Sequence, residues 1–546
     1  MLTRTPRRGT RLWAVLFALA LVLSSVTSAF AAQQSPSDAP SSGTYVADLG
    51  FRPATNGFSF ENYGDDLRVT NLTAEELRRM FGDEVCANLA GGKCTLTPPA
   101  KRWMAEINRG MADGHCEGIA ALSLLMFLGV VQPTAYGASS PSALSLSGNQ
   151  ALQREIAYWF ATQFTTPTGP SEMFGLTPGG VADTLARSFA AGSSATETYT
   201  MGIFQRDGSG GHSILPYAVE ERGNGITWIM VYDNNHPGAA RHIEVDRGRE
   251  SWRYYGSTNP AEADALYEGD ASTHSLTLTP TSTRLLKQAC PFCLDDDNSA
   301  VGGAQRYDQL TFEGDGHVLI TDSQGRRFGL VGNQLVTEIP GVAYAMPKRG
   351  VTWSLDSDPV YFLPAGQTFT VTIDGSSLRQ TGSADLTLVG PGYDLSVEDI
   401  TLRPGQQDTL VLSPSRGGSS IAYTTAANDM PSIFIGSETK AADYSFGLQG
   451  IALQGGGTVK MALDQANGQL AISTSGGQGV GTYALEMVRT DDDDELTFSN
   501  DRIRLRSGDT AYLNFGSWKA DRDSIPLSID HGTKGSIDEV LDLTDA

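Results

Sequence analysis

Cys116 stands where a glycine-bearing turn, Gly114-His115, gives way to good helix formers: Glu117-Gly118-Ile119-Ala120-Ala121-Leu122 and onward to Phe127. The first turn of a helix leaves backbone N–H groups without intrahelical partners, and their dipoles favour negative charge. A cysteine so placed favours thiolate chemistry. Far downstream, Gly210-Gly211-His212-Ser213 leads into the apolar run Ile214-Leu215-Pro216-Tyr217-Ala218-Val219, and Ile226-Thr227-Trp228-Ile229-Met230-Val231-Tyr232 ends in Asp233-Asn234-Asn235-His236-Pro237. The first reads as a strand carrying a histidine, the second as a strand delivering an acid or amide at its end. Cys116, His212 and Asp233 in that order are the material of a thiol nucleophile, its base and the group that orients the base. Asn234 or Asn235 is an alternative third member.

Cysteine parity points to the same residue. Of five cysteines, Cys86 and Cys94 flank a short loop and Cys290-Pro291-Phe292-Cys293 forms a close pair. Each pair is positioned to close a disulfide in an oxidising compartment. Cys116 is left over.

The compartment follows from the start of the chain. Arg4, Arg7, Arg8 and Arg11 precede an apolar run over 12–23, and Ala29-Phe30-Ala31 offers a small-residue cleavage site. Residues 1–31 therefore read as a secretory signal peptide, and the mature chain as secreted and extracellular. No later stretch is long and apolar enough to span a bilayer, so no membrane insertion is expected after its removal. The formal net charge of −23 argues against nucleic acid or an anionic membrane surface as partner.

The length of 546 residues prompts an expectation of about three domains. Residues 32–54 read as a linker, polar and Pro/Ser-rich over 32–43. Thr73-Ala74-Glu75-Glu76 is a capping-box pattern that starts a short helix reaching residue 80. Further helices are predicted over 100–109, 116–128, 151–164 and 181–190. Strands follow over 198–204, 212–220, 226–232 and 242–245, with a hairpin loop at 221–225. This helical part followed by an antiparallel sheet makes one α+β domain over 55–290. Asp295-Asp296-Asp297-Asn298 reads as a joint. Beyond about residue 300 helical periodicity disappears and short alternating strands recur between glycine-containing turns. The expectation is two all-β sandwich modules, 300–415 and 416–546, divided at Pro414-Ser415-Arg416-Gly417-Gly418.

Gly-His-Cys-Glu-Gly at a helix head, Gly-Gly-His-Ser on a strand and Val-Tyr-Asp-Asn-Asn-His-Pro on the next resemble the core of a papain-like cysteine peptidase. The similarity is to the bacterial exported branches, including bacteriocin-processing peptidases, and it covers residues 55–260. It implies Cys116 as nucleophile, His212 as general base and Asp233 as orienter. Such enzymes place a glutamine about six residues before the nucleophile, where it donates to the oxyanion. Here that position is Gly110, and Asn108 is the nearest amide in sequence able to take the role. Without a side-chain donor the domain would be a weak or inactive relative.

Each residue alone also has a plainer reading: a small buried thiol, a histidine near a strand start, a turn after a strand. The ordered set supports an exported thiol hydrolase that cleaves peptide or amide bonds, with a protein or peptide as substrate and no cofactor. A transglutaminase-like acyl transferase would use the same three residues. A non-catalytic surface or adhesion protein is the reading from another class, with the β-modules binding a cell-surface or polymer ligand. No metal site is expected. Cys290 and Cys293 lack the second pair that zinc needs, and His236 and His242 lack a third ligand. The run Asp491-Asp492-Asp493-Asp494-Glu495 lacks the spacing and glycine of a calcium loop and reads as solvated.

Overall fold

The computed structural model describes residues 44–545 except 65–67, 207, 209, 258–262, 295–305, 332–333, 349–357, 477–479, 493, 519–523 and 533–534. The predicted signal peptide, the 32–43 stretch of the predicted linker and the joint at 295–298 lie outside the described residues.

The helices start where their caps are. Thr73 and Glu76 form a reciprocal capping box at the head of Ala74–Phe81. The Thr97 hydroxyl accepts from Ala100 N–H before Pro98–Gly110, and Asn149 caps Gln150–Ala161 in the same way. The helix headed by Cys116, Cys116–Phe127, differs from these. Every residue from Cys116 to Met126 is buried, so it has no polar stripe and lies wholly inside the protein. Gly118 permits this: a Cβ there would come within 2.2 Å of the Ile156 carbonyl oxygen on the neighbouring helix.

One antiparallel sheet of eight strands stands beside these helices. Its order is Leu276–Pro280, Tyr199–Ile203, His212–Gly223, Ile226–Tyr232, Arg241–Asp246, Ser251–Gly256 and Ala265–Asp270, with Thr44–Asp48 also paired to His212–Gly223. The strands carrying His212 and leading to Asp233 are hydrogen-bonded neighbours, with Leu215 opposite Tyr232. That register brings the two chemical ends of the strands together. The expected linker over 32–54 is corrected by this sheet, because Thr44–Asp48 pairs with the histidine strand and Leu49 and Phe51 are fully buried. Their apolar side chains have more to gain from the core than from water.

Among the described residues from Tyr307 onward the strands form two sheets, one of nine strands and one of eleven, which enclose a single apolar core from Leu310 to Leu543. Successive hairpins alternate between them. Gly382–Gly390 with Tyr393–Leu402 joins the nine-stranded sheet, Gln407–Ser413 with Ser420–Thr424 the eleven-stranded, Ser432–Ser437 with Asp443–Gln449 the nine-stranded again, and so on to Ile525–Asp530. The expected division at 414–418 is therefore no boundary. It is the turn of a hairpin, and Ser420–Thr424 goes on to pair with Thr458–Asp464. Both sheets and their core run through it.

The α+β part and the β part also share a core. Leu77, Phe81, Trp103, Phe160 and Phe164 pack with Phe292, Ala345, Val360, Phe362 and Val389. Helix Pro98–Gly110 lies against the outer face of the nine-stranded sheet, where Trp103 Nε1 donates to Gln309 at 3.1 Å and Arg102 pairs with Glu398 and, at 3.6 Å, with Asp394. That sheet is thus covered on both faces, which explains the unbroken burial from Leu386 to Val397.

Candidate functional site

Cys116, His212 and Asp233 meet in the interior, all fully buried. The Cys116 thiol is the free one: Cys86 is bonded to Cys94 and Cys290 to Cys293. Its Sγ accepts the Ser213 N–H at 3.3 Å, so the sulfur lies against the backbone next to the histidine. His212 Nε2 donates to Asp233 Oδ1 at 2.8 Å. The other ring nitrogen, Nδ1, makes no hydrogen bond among the described residues, and Cys116 is among the neighbours that act on this ring. One ring nitrogen is held by the acid and the other is unbonded among the described residues, while the Cys116 thiol donates to the Lys348 carbonyl oxygen at 3.5 Å.

The electrostatics follow from that geometry. Burial would lower the His212 pKa, but the Asp233 charge and hydrogen bond, with Cys116 beside the ring, push it up to about 10. Burial would raise the Asp233 carboxyl, yet His212 and the Tyr254 hydroxyl hold it well below the usual carboxylate range. The pair is an imidazolium beside a carboxylate at neutral pH.

The sequence left three candidates for the orienting role, and the structure gives each a separate contact. Asp233 receives the imidazole, the Tyr254 hydroxyl at 2.5 Å on Oδ2 and the Asn235 N–H at 2.9 Å. Asn234 donates through Nδ2 to the Cys116 carbonyl at 3.1 Å and the Ser213 carbonyl at 2.9 Å, tying the Cys116 helix to the histidine strand. Asn235 donates to the Ser257 carbonyl at 2.5 Å.

Asn108 is corrected. Its amide donates to the Leu72 carbonyl and its oxygen accepts the Leu72 N–H, both at 3.0 Å, so the side chain is committed to pinning a loop. Asn62 touches the turn before Cys116 instead. Its Oδ1 accepts the His115 N–H at 2.8 Å, its own N–H donates to the Asn234 carbonyl at 3.0 Å, and its Nδ2 has no partner among the described residues. Asn62 lies 54 positions before Cys116, outside any local motif.

Two further groups escaped sequence reading. Tyr254 sits on a strand that the alternation did not bring out. Glu117, next to Cys116, is fully buried and paired with Arg284, the Ser213 hydroxyl and Thr200. Burial would raise its carboxyl, but Arg284, Lys348 and those hydroxyls outweigh burial and leave it at about 2. This ion pair fixes the helix start against the sheet. His115, the residue before Cys116, is stacked on Tyr63 at 4.1 Å, bonded at Nδ1 to the Tyr63 carbonyl and lowered to about 4 by burial. It is a neutral structural histidine.

The remaining candidates are accounted for locally. His236 pairs with Asp264 at 3.1 Å, and His242 stacks on Trp228 at 3.6 Å. Asp491 pairs with Arg489 at 2.6 Å and closes a turn with Asp494. Among the described residues no group of three or more His, Cys, Asp or Glu side chains is arranged to hold a metal, and no helix is long and apolar enough to cross a membrane. No family model, curated protein or solved structure matches the chain.

Proposed function

We propose that the chain is an exported, papain-like thiol hydrolase that cleaves peptide or amide bonds. The observation that carries this reading is that Asp233, the His212 ring and the free thiol of Cys116 at a helix start meet in one buried place, with Asp233 bonded to one ring nitrogen, the other nitrogen unbonded and Cys116 acting on the ring. Cys116 attacks the carbonyl carbon as a thiolate, its proton having passed to His212 Nδ1. The oxyanion is met by the Cys116 N–H and by Asn62 Nδ2, both at the same turn. The C–N bond breaks as the imidazolium protonates the leaving amine, and water then attacks the thioester, with His212 taking the water's proton. Asp233 keeps the ring in one tautomer throughout.

The test is to incubate the purified full chain with an unfolded protein in reducing buffer and to read new amino termini by mass spectrometry. Cleavage that disappears in both Cys116→Ala and His212→Ala supports the assignment. An equal yield of new termini from Cys116→Ala, or none from the wild type, overturns it.

A further inference from the structure

The space in front of the buried thiol is occupied by the chain itself. Residues 346–348, which follow the edge strand Ala343–Ala345 of the nine-stranded sheet, run across it, and the Lys348 carbonyl oxygen accepts a hydrogen bond from the Cys116 thiol at 3.5 Å. The Lys348 N–H donates to Gln163 Oε1 at 2.8 Å, so the residue is held on both sides of its α-carbon. Two glycines make room for its passage. A Cβ on Gly211, the neighbour of His212, would stand 2.5 Å from the Pro347 carbonyl oxygen, and one on Gly202 would stand 3.0 Å from Lys348 Cδ.

The lysine side chain enters a pocket of its own. Its side chain is 1 % exposed, and Nζ donates to Glu172 Oε1 at 3.0 Å and to Thr279 Oγ1 at 3.3 Å. Thr277 donates to the same Glu172 oxygen at 2.6 Å. Thr277 and Thr279 alternate along Leu276–Pro280 and so line one face of it, with Gly202 directly opposite Thr277 in register. A buried ammonium is costly unless an opposite charge and further polar groups satisfy it, and here they do. An apolar side chain of the same length would leave Glu172 buried without its cation.

Resting on the thiol-hydrolase reading, we infer that Lys348 is the enzyme's own first substrate residue: its side chain fills the specificity pocket built by Glu172, Thr277 and Thr279, and its carbonyl is the one presented to Cys116. The site accordingly cleaves on the carboxyl side of lysine or arginine, and it does so first within its own chain. In that step the Cys116 sulfur bonds to the Lys348 carbonyl carbon, the bond to the following nitrogen breaks and His212 delivers the proton to that nitrogen. Water hydrolyses the thioester, leaving a Lys348 carboxylate and a regenerated thiol. The net reaction consumes one water and no other reagent.

The experiment follows the purified full chain in reducing buffer by denaturing intact-mass measurement, beside the map of cut sites it makes in an unfolded protein. The expected result is accumulation of a fragment ending at Lys348, absent in Cys116→Ala. Lys348→Arg should still cut, Lys348→Met should stay whole, and Glu172→Gln should slow the cut by about tenfold or more. Cuts in the unfolded protein should fall after basic residues. If the wild type cuts the unfolded protein but stays uncut after Lys348, or cuts it without preference for basic residues, the inference fails while the thiol-hydrolase reading stands. If it cuts nothing, both fail.

Discussion

His212 Nε2 and Asp233 Oδ1 stand 2.8 Å apart with both side chains fully buried, and Asp233 takes a second hydrogen bond on its other oxygen from Tyr254. The acid is thus held in place independently of the imidazole. Asp233→Asn keeps an oxygen for the ring and an amide that can donate to the tyrosine oxygen. It should lower kcat by about tenfold, against about a thousandfold or more for His212→Ala. Steady-state rates for the two variants check this, and equal losses would contradict it.

The same pair sets a pH dependence. The folded His212 pKa is raised from its ordinary 6.5 to about 10, so its stabilising contribution is complete below about pH 6.5 and is lost as pH rises toward about 10. Asp233 is shifted down, so its contribution is present above its ordinary 3.8 and is lost as pH falls below that value. Denaturant midpoints measured across the alkaline range should decline for the wild type and be flatter for His212→Gln.

Asn62 and Asn108 separate catalysis from scaffolding. Asn62→Ala should reduce kcat by about a hundredfold with little change in KM, as expected for loss of one oxyanion donor. Asn108→Ala should leave the rate intact and lower stability by about 1–3 kcal/mol, because the Leu72 backbone loses both its partners. Kinetics and denaturant unfolding on both variants decide it, and the opposite pattern would restore Asn108 to the site.

Arg284→Met leaves the Glu117 carboxylate buried beside Cys116 without its main cation. A loss of about 3–5 kcal/mol is expected by denaturant unfolding, whereas Glu117→Gln with Arg284→Met together should recover part of it.

Thiol counting on denatured, unreduced protein should find one reactive sulfhydryl per chain, and alkylation followed by peptide mapping should place it on Cys116.

Much of the local structure was legible because its causes are local. The capping box at Thr73, the helix over 116–128 and the strand over 226–232 are written in caps, glycines and apolar periodicity, and they appear within a residue or two of the expected limits. Cysteine parity isolated Cys116 for a similarly simple reason. What stayed hidden depends on pairing across long separations. Nothing near residue 415 reveals that the next strand joins the same sheet, since a hairpin turn and a boundary between modules use the same residues. Asn62, Tyr254, Arg284 and Lys348 reach the site from four different stretches of chain, and none sits in a local pattern that marks it. Asn108 is near Cys116 only in sequence, and its side chain is bonded to the Leu72 backbone instead.

The strand order of the β part carries a consequence for any cut after Lys348. Tyr307–Gly314, upstream of that bond, is hydrogen-bonded to both Val360–Pro364 and Gly382–Gly390 downstream, and His317–Asp322 is bonded to Phe369–Asp374 in the facing sheet. A broken backbone there would leave these ladders and their shared core intact. The product would be a nicked, two-chain molecule that travels as one species in gel filtration and falls into two only on denaturation. What the break changes is the tether on residues 346–348: they become a free carboxyl-terminal tail that can leave the cleft by fraying alone, with no strand of either sheet having to part.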